Sequence, residues 1–300
     1  MNRRQFASSV LAAGAGSVVA VRGVPTGASP TSDSPTLNLS VMLWTILPHE
    51  PFEQRVHAVA EAGYRYVELV NEFERWTTQD FDKFQRLFDA LSISVDAICV
   101  TDPGVAIPSA SGQFLRVLQE RIATARTLNC RDIIVLSGLQ VPGLSRAAQQ
   151  HASIDTLKRG GDLAAAHGVR LLLESLDPEE SPRCFLNSVS QCADIVRAVG
   201  NPSVRVLYDF YHEQISGGNL IKKLVDNIDL IGLVHIADVP GRHEPGTGEI
   251  NYGTILRRLV ELNFTGTVAM EFLPAGAPIP TLRAAREYAQ GILKPRGIVG

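Results

Sequence analysis

From about residue 38 onward, short apolar runs alternate with amphipathic segments. Eight runs have the apolar, often β-branched character of buried strands: Leu39–Trp44, Arg65–Leu69, Ile93–Val100, Asp132–Leu136, Val169–Glu174, Val204–Asp209, Leu230–Ile236 and Gly266–Phe272. Helix-like segments follow them: Phe52–Ala62, Thr78–Leu91, Gly112–Leu128, Ser145–His167, Ser188–Val199, Asn219–Asp226, Tyr252–Leu262 and Pro280–Leu293. Many show the i, i+3, i+4 apolar spacing of a helix that covers a sheet. Gly63 and Gly168 stand where two of these helices should stop. Eight β-then-α units at a spacing of roughly 30 residues predict a single (β/α)8 TIM barrel over residues 37–300. The competing arrangement is a doubly wound open sheet, which often carries a glycine-rich nucleotide loop after its first strand. Here that strand runs into Leu43-Trp44-Thr45-Ile46-Leu47-Pro48, with no such loop.

Four consecutive strands end on an ionisable residue: Glu174, Asp209, His235 and Glu271. In a barrel these strand ends ring one mouth, where the fold keeps its chemistry. An ionised carboxylate there is costly unless it is paired or bound to a metal. Three carboxylates and one imidazole predict a divalent cation site. Mostly oxygen donors suit Mn²⁺ or Mg²⁺, with Co²⁺ or Zn²⁺ compatible. Glu174 and Glu271 could also flank a substrate and move protons. Taken singly, each carboxylate reads as a solvated loop charge or a cap neighbour, and His235 as a hydrogen-bonded structural histidine. Their recurrence on four strands favours a site.

After His235 the chain enters a turn-rich loop holding Arg242, His243, Glu244 and Glu249. The Arg242 guanidinium can grip a substrate carboxylate with two hydrogen bonds, or it can form a salt bridge to Glu244 or Glu249. Glu68, near the end of the second strand, reads as a pocket group partnering a histidine or arginine, or as a buried structural carboxylate. Trp44 and Trp76 read as pocket walls or as core.

The net charge of −3 gives no electrostatic case for binding nucleic acid. Residues 1–36 stand apart from the barrel pattern. Asn2-Arg3-Arg4-Gln5-Phe6 precedes an uncharged Ala/Gly/Ser/Val stretch, Ala7–Val21, then Arg22 and a Pro/Ser/Thr/Gly-rich linker. This order resembles a twin-arginine (Tat) export signal. The resemblance implies the Tat machinery as a partner, a periplasmic or otherwise exported product, and export in the folded, cofactor-loaded state. A disordered basic tail on a cytoplasmic protein is the alternative. The Ala7–Val21 stretch is short for a membrane span, and no later apolar run reaches about 18 residues. Cys99, Cys130, Cys184 and Cys192 match no zinc spacing. In an exported chain, Cys184 and Cys192 are available to pair. Self-association into a homo-oligomer stays open.

Residues 38–293 resemble the hydroxypyruvate isomerase family, within the xylose-isomerase-like sugar isomerase and epimerase barrels. The resemblance rests on Ser40-Val41-Met42-Leu43-Trp44, on Pro51-Phe52-Glu53-Gln54-Arg55, on Ala62-Gly63-Tyr64 through Val67-Glu68-Leu69, and most specifically on Val239-Pro240-Gly241-Arg242-His243-Glu244-Pro245-Gly246-Thr247-Gly248-Glu249-Ile250-Asn251-Tyr252. It implies that Glu174 and Glu271 are both metal ligands and the proton donor/acceptor pair, and that Asp209 and His235 complete the metal site. It departs at His235, where hydroxypyruvate isomerases proper are expected to carry Gln; a histidine there is similar to the ketose 3-epimerase branch. His212, in Asp209-Phe210-Tyr211-His212, looks like the superfamily's metal-side or substrate-side histidine, with a surface-loop histidine as the alternative.

The chemistry so implied is isomerisation of a small α-hydroxycarbonyl compound, hydroxypyruvate to 2-hydroxy-3-oxopropanoate, by glutamate-mediated proton transfer through an enediolate. Its candidate substrate contacts are His212, Arg242, Glu68 and Trp44. A metal-assisted hydride shift is the competing route. A ketose or sugar-acid epimerase and a keto-polyol dehydratase would use the same machinery. A non-catalytic sugar-binding barrel would need no paired glutamates. An AP-endonuclease-like barrel would need more histidines and a basic groove.

Overall fold

The computed structural model describes residues 37–293. The export-signal expectation for residues 1–36 lies outside them. Eight strands run β1 (Asn38–Met42), β2 (Tyr66–Leu69), β3 (Ser94–Val100), β4 (Asp132–Leu136), β5 (Arg170–Glu174), β6 (Val204–Asp209), β7 (Ile231–Ile236) and β8 (Thr267–Met270). Each pairs in parallel with its sequence neighbours, and β8 returns to β1, so the sheet closes in the order β1 to β8. The predicted (β/α)8 barrel is the observed fold.

The strand period of two sorts side chains into two cores. Leu172, Leu207, Leu233 and Ala269 point into the barrel and pack with Met42, Ala97, Cys99 and Ile134. Their neighbours Leu171, Leu173, Val206, Tyr208, Val234, Ile236, Val268 and Met270 point outward into the larger core beneath the helices. That outer layer is made by α1 (Phe52–Glu61), α2 (Thr78–Leu91), α3 (Ser111–Thr127), α4 (Arg146–Ala165), α5 (Val189–Val199), α6 (Phe210–Ser216), α7 (Leu220–Asn227), α8 (Tyr252–Glu261) and α9 (Pro278–Leu293). Among the described residues no helix is long and apolar enough to cross a membrane.

Two sequence expectations need correction. The first strand stops at Met42, because Leu43–Thr45 turn into a 3₁₀ segment that carries Trp44 over the barrel mouth. The stretch after Asp209, where no helix was expected, is a short helix, α6; Asp209 caps it with Oδ1, which accepts from the Tyr211 amide at 2.7 Å and the His212 amide at 3.3 Å. The pairing of Cys184 with Cys192, which the sequence left open, does not occur: all four cysteines are buried and free. Elsewhere the expected element ends agree to within a few residues.

Candidate active site and metal centre

Alternation also delivers the site. Glu174, Asp209, His235 and Glu271 each stand two residues beyond an inward residue of the barrel core, Leu172, Leu207, Leu233 and Ala269 respectively. Two residues along a strand restores the same face, so all four aim at the axis at the C-terminal mouth. One donor atom from each lies within 4.8 Å of the other three, and all four residues are buried. Around the His235 ring, Nδ1 is 2.8 Å from Glu271 Oε2 and 3.8 Å from Glu174 Oε1.

Arg242 closes one side. Its Nη2 lies 2.8 Å from Glu271 Oε2 and 3.8 Å from Asp209 Oδ2, and its Nη1 lies 2.6 Å from Glu180 Oε2. The guanidinium lies over the Tyr211 ring at 4.9 Å and over the Trp44 ring at 5.5 Å. Trp44 Nε1 donates to Glu271 Oε1 at 2.8 Å. His212 faces Asp209 Oδ2 with Nε2 at 3.6 Å, while its Nδ1 meets the buried Asp177 Oδ2 at 2.6 Å. Glu174, Glu180, His212, Arg242 and Glu271 line a cavity of about 260 Å³ together with the apolar Met42, Val70, Ile134, Leu136 and Leu176.

The loop that carries Arg242 is built around Asp238. Its Oδ1 accepts from the Val239 and Ile250 amides at 3.0 Å each, and its Oδ2 from the Gly246 amide at 2.8 Å. A Cβ on Gly248 would fall 2.1 Å from the Val239 carbonyl oxygen, so this closure requires glycine there. Arg242 itself adopts a left-handed φ of 57°, which turns its side chain back over the mouth.

Burial and neighbours split the two glutamates. Burial pushes the Glu174 carboxyl up to about 7, with His235 opposing and Glu271 reinforcing the rise. Burial acts on Glu271 too, but Arg242 and then His235 outweigh it and hold that carboxyl well below the usual range. Burial disfavours charge on His212, yet Asp209 and the Asp177 hydrogen bond raise it to about 9. His235 is raised well above its ordinary value, because Glu68 and Glu271 outweigh its burial.

A family model for the xylose isomerase-like TIM barrel matches residues 56–292. The chain belongs to this family. Within it, the chain is 32% identical over 246 residues to a 2-oxo-tetronate isomerase of Pectobacterium atrosepticum, covering 80% of this chain and 91% of the relative. It is 27% identical over 247 residues to the hydroxypyruvate isomerase of Escherichia coli K12, covering 79% and 94%. A crystal structure from Brucella melitensis, named AP endonuclease, family 2, superposes with a TM-score of 0.78 at 27% identity, covering 84% of this chain and all but 1% of the other.

A divalent cation, typical of the xylose isomerase-like family, fits the residues at this mouth. Asp209 Oδ2 is buried and has no hydrogen-bond partner among the described residues, the unmet need that a cation would satisfy. Its nearest donors, His212 Nε2 and Arg242 Nη2, stand too far for a hydrogen bond. Three carboxylates and one imidazole are also a chemically apt donor set for Mn²⁺ or Mg²⁺.

Of the expected substrate contacts, Trp44, His212 and Arg242 line the cavity. Glu68 does not. It is fully buried beneath His235, with Oε2 2.7 Å from His235 Nε2, on the ring edge turned away from the other carboxylates. Arg242 is paired with Glu271 and Glu180, and neither Glu244 nor Glu249 reaches it: Glu244 accepts from the Ala275 amide and Glu249 from Gln214. Trp76 belongs to the outer core, edge-on to Phe52 and Phe81.

Sequence reading missed Asp177, Glu180 and Tyr211. Asp177 Oδ1 accepts from the Glu179 and Glu180 amides at 2.8 Å each, a turn that aims Glu180 at Arg242 and at the Tyr211 hydroxyl. The segment Asp177-Pro178-Glu179-Glu180 carried a signal for it, since Asp before Pro favours a side-chain-capped turn.

Proposed function

We propose that this protein is a divalent-metal-dependent isomerase of short α-hydroxycarbonyl acids such as hydroxypyruvate and 2-oxo-tetronate. Glu174 and Glu271 shuttle a proton between adjacent carbons. The observation that carries this reading is the flanking of His235 Nδ1 by those two carboxylates, one raised to about 7 and the other held ionised. The relatives' names supply the substrate class.

A cation held by Glu174, Asp209, His235 and Glu271 would polarise the substrate's neighbouring carbonyl and hydroxyl oxygens and so acidify the carbon-bound proton. Ionised Glu271 is suited to remove that proton. Glu174, the other carboxylate of the pair, is suited to return one to the adjacent carbon. In hydroxypyruvate the proton leaves C3 and arrives at C2, while a hydroxyl proton passes between the two oxygens. Arg242 and protonated His212 face the cavity as the cations for the substrate's carboxylate and for charge developing on its oxygens. Trp44 and the apolar lining exclude water.

His235, in place of glutamine, favours a second reading: a ketose 3-epimerase that uses the same pair. One screen separates the two. Mn²⁺-loaded protein is assayed with hydroxypyruvate, 2-oxo-tetronate and neutral ketoses, with a chelated control. The first reading expects turnover of the acids that is lost on chelation. Turnover confined to ketoses would establish the second, and binding without turnover would sink both. The reading of residues 1–36 as an export signal is a separate proposal, tested by cell fractionation with and without Arg3 and Arg4.

A further inference from the structure

Glu68 takes no part in the mechanism above, yet its carboxylate is fully buried in the barrel, a costly position for an acid without a cationic partner. Its single side-chain hydrogen bond is to His235: Oε2 lies 2.7 Å from Nε2, and Oε1 has no partner among the described residues. Glu68 therefore serves one group. His235 is clamped edge to edge, with Nε2 toward Glu68 and Nδ1 toward Glu174 and Glu271 at 3.8 and 2.8 Å.

A neutral imidazole has one N–H and one lone pair, and the hydrogen bond made by one nitrogen decides which atom the other presents. We propose that Glu68 is a positioning residue that holds the proton of His235 on Nε2, so that the Nδ1 lone pair is the one offered to the cation. This rests on the metal-site reading above. The arrangement is a carboxylate–histidine–metal relay in which β2 supplies the carboxylate and β7 the histidine. Two strands separated by β1 and β8 in the barrel thus meet through one ring. The position also explains why Glu68 is not a fifth ligand: the imidazole stands between it and the donor cluster, which does not include it. A carboxylate so placed makes the ring a stronger donor and removes the wrong tautomer, and loss of such a partner typically weakens metal binding by about 10- to 100-fold.

Two measurements on the full-length protein test this. The first is Mn²⁺ affinity by calorimetry for wild type, Glu68→Gln, His235→Gln and the double variant. Glu68→Gln should weaken binding by about 10-fold or more. Added to His235→Gln it should weaken binding no further, because its effect runs through the ring. An equal loss in both backgrounds, or no loss in the single variant, overturns the positioning role. Wild type that binds no Mn²⁺ overturns the metal reading, and this inference with it. The second measurement requires no substitution, so it holds if Glu68→Gln fails to fold. In ¹⁵N-histidine-labelled protein loaded with ¹¹³Cd²⁺, the cadmium coupling should fall on His235 Nδ1 and the attached proton on Nε2. Coupling on Nε2 overturns the proposal.

Discussion

Arg242 grips Glu271 twice, with Nη2 2.8 Å from the side-chain Oε2 and Nε 3.3 Å from the backbone carbonyl. Among the described residues no comparable cation touches Glu174, whose nearest charge partner is His235 Nδ1 at 3.8 Å. In the metal-free protein Arg242 holds Glu271 ionised, while burial raises the Glu174 carboxyl to about 7. Replacing Arg242 with Gln should therefore raise the Glu271 pKa and move the acid limb of the kcat/KM profile to higher pH. It should also raise KM for an acid substrate, by about 2 kcal/mol or roughly thirtyfold, the scale of a charge-assisted hydrogen bond. An unchanged acid limb would dissociate Arg242 from the base.

Glu174→Gln and Glu271→Gln should each lower kcat by about 10²- to 10⁴-fold, the usual contribution of a positioned acid or base. Far-ultraviolet circular dichroism should stay that of wild type, since both side chains sit at the mouth and not in the packed layers. Full activity in either variant would remove that residue from the proton path.

Metal and protons should compete. Glu174 titrates at about 7, and His235, raised well above its ordinary value, must lose the Nδ1 proton to bind a cation. Mn²⁺ affinity should thus rise with pH through 7, with roughly one to two protons released per ion at neutrality, measurable from the buffer dependence of the calorimetric enthalpy. Stability carries a matching sign. The folded-state pKa of Glu174 is raised above the unfolded value of about 4.3. Its contribution is therefore fully present below pH 4.3 and lost as pH rises through 7. Relative to Glu174→Gln, metal-free wild type should melt at lower temperature at pH 8 than at pH 5. A difference that does not change with pH would contradict the raised carboxyl.

Asp209 has two separable jobs. Oδ1 caps α6 and Oδ2 is the unpartnered oxygen of the candidate metal site. Asn caps helices about as well as Asp, so Asp209→Asn should keep metal-free stability while weakening Mn²⁺ binding. Asp209→Ala should lose both, with a cost in stability of about 0.5–2 kcal/mol. Equal melting temperatures for the two metal-free variants would show that the cap contributes nothing.

The barrel and its four strand-end residues were legible because both follow from alternation within single strands. Leu172 two residues before Glu174, or Leu233 two before His235, fixes a direction that no long-range packing needs to supply. What lay hidden depends on contacts between distant segments. Glu180 finds Arg242 only once the turn at Asp177 and the loop at Asp238 have both closed. Glu68 meets His235 across 167 positions of sequence; its strand-end position suggested both a substrate contact and a partner for a histidine or arginine, and only the fold shows that the partner is His235. The helix α6 was too short to show a period; its start is written in the Asp209 side chain, whose carboxylate the sequence also assigns to metal.

One experiment tests the proton transfer most directly: Mn²⁺-loaded protein is given hydroxypyruvate in D₂O and the product followed by proton NMR. Proton transfer between Glu271 and Glu174 predicts deuterium at C2 of the 2-hydroxy-3-oxopropanoate formed, with incorporation abolished in Glu174→Gln and Glu271→Gln. Product that forms at a normal rate with its original hydrogen carried intact to C2 would contradict it.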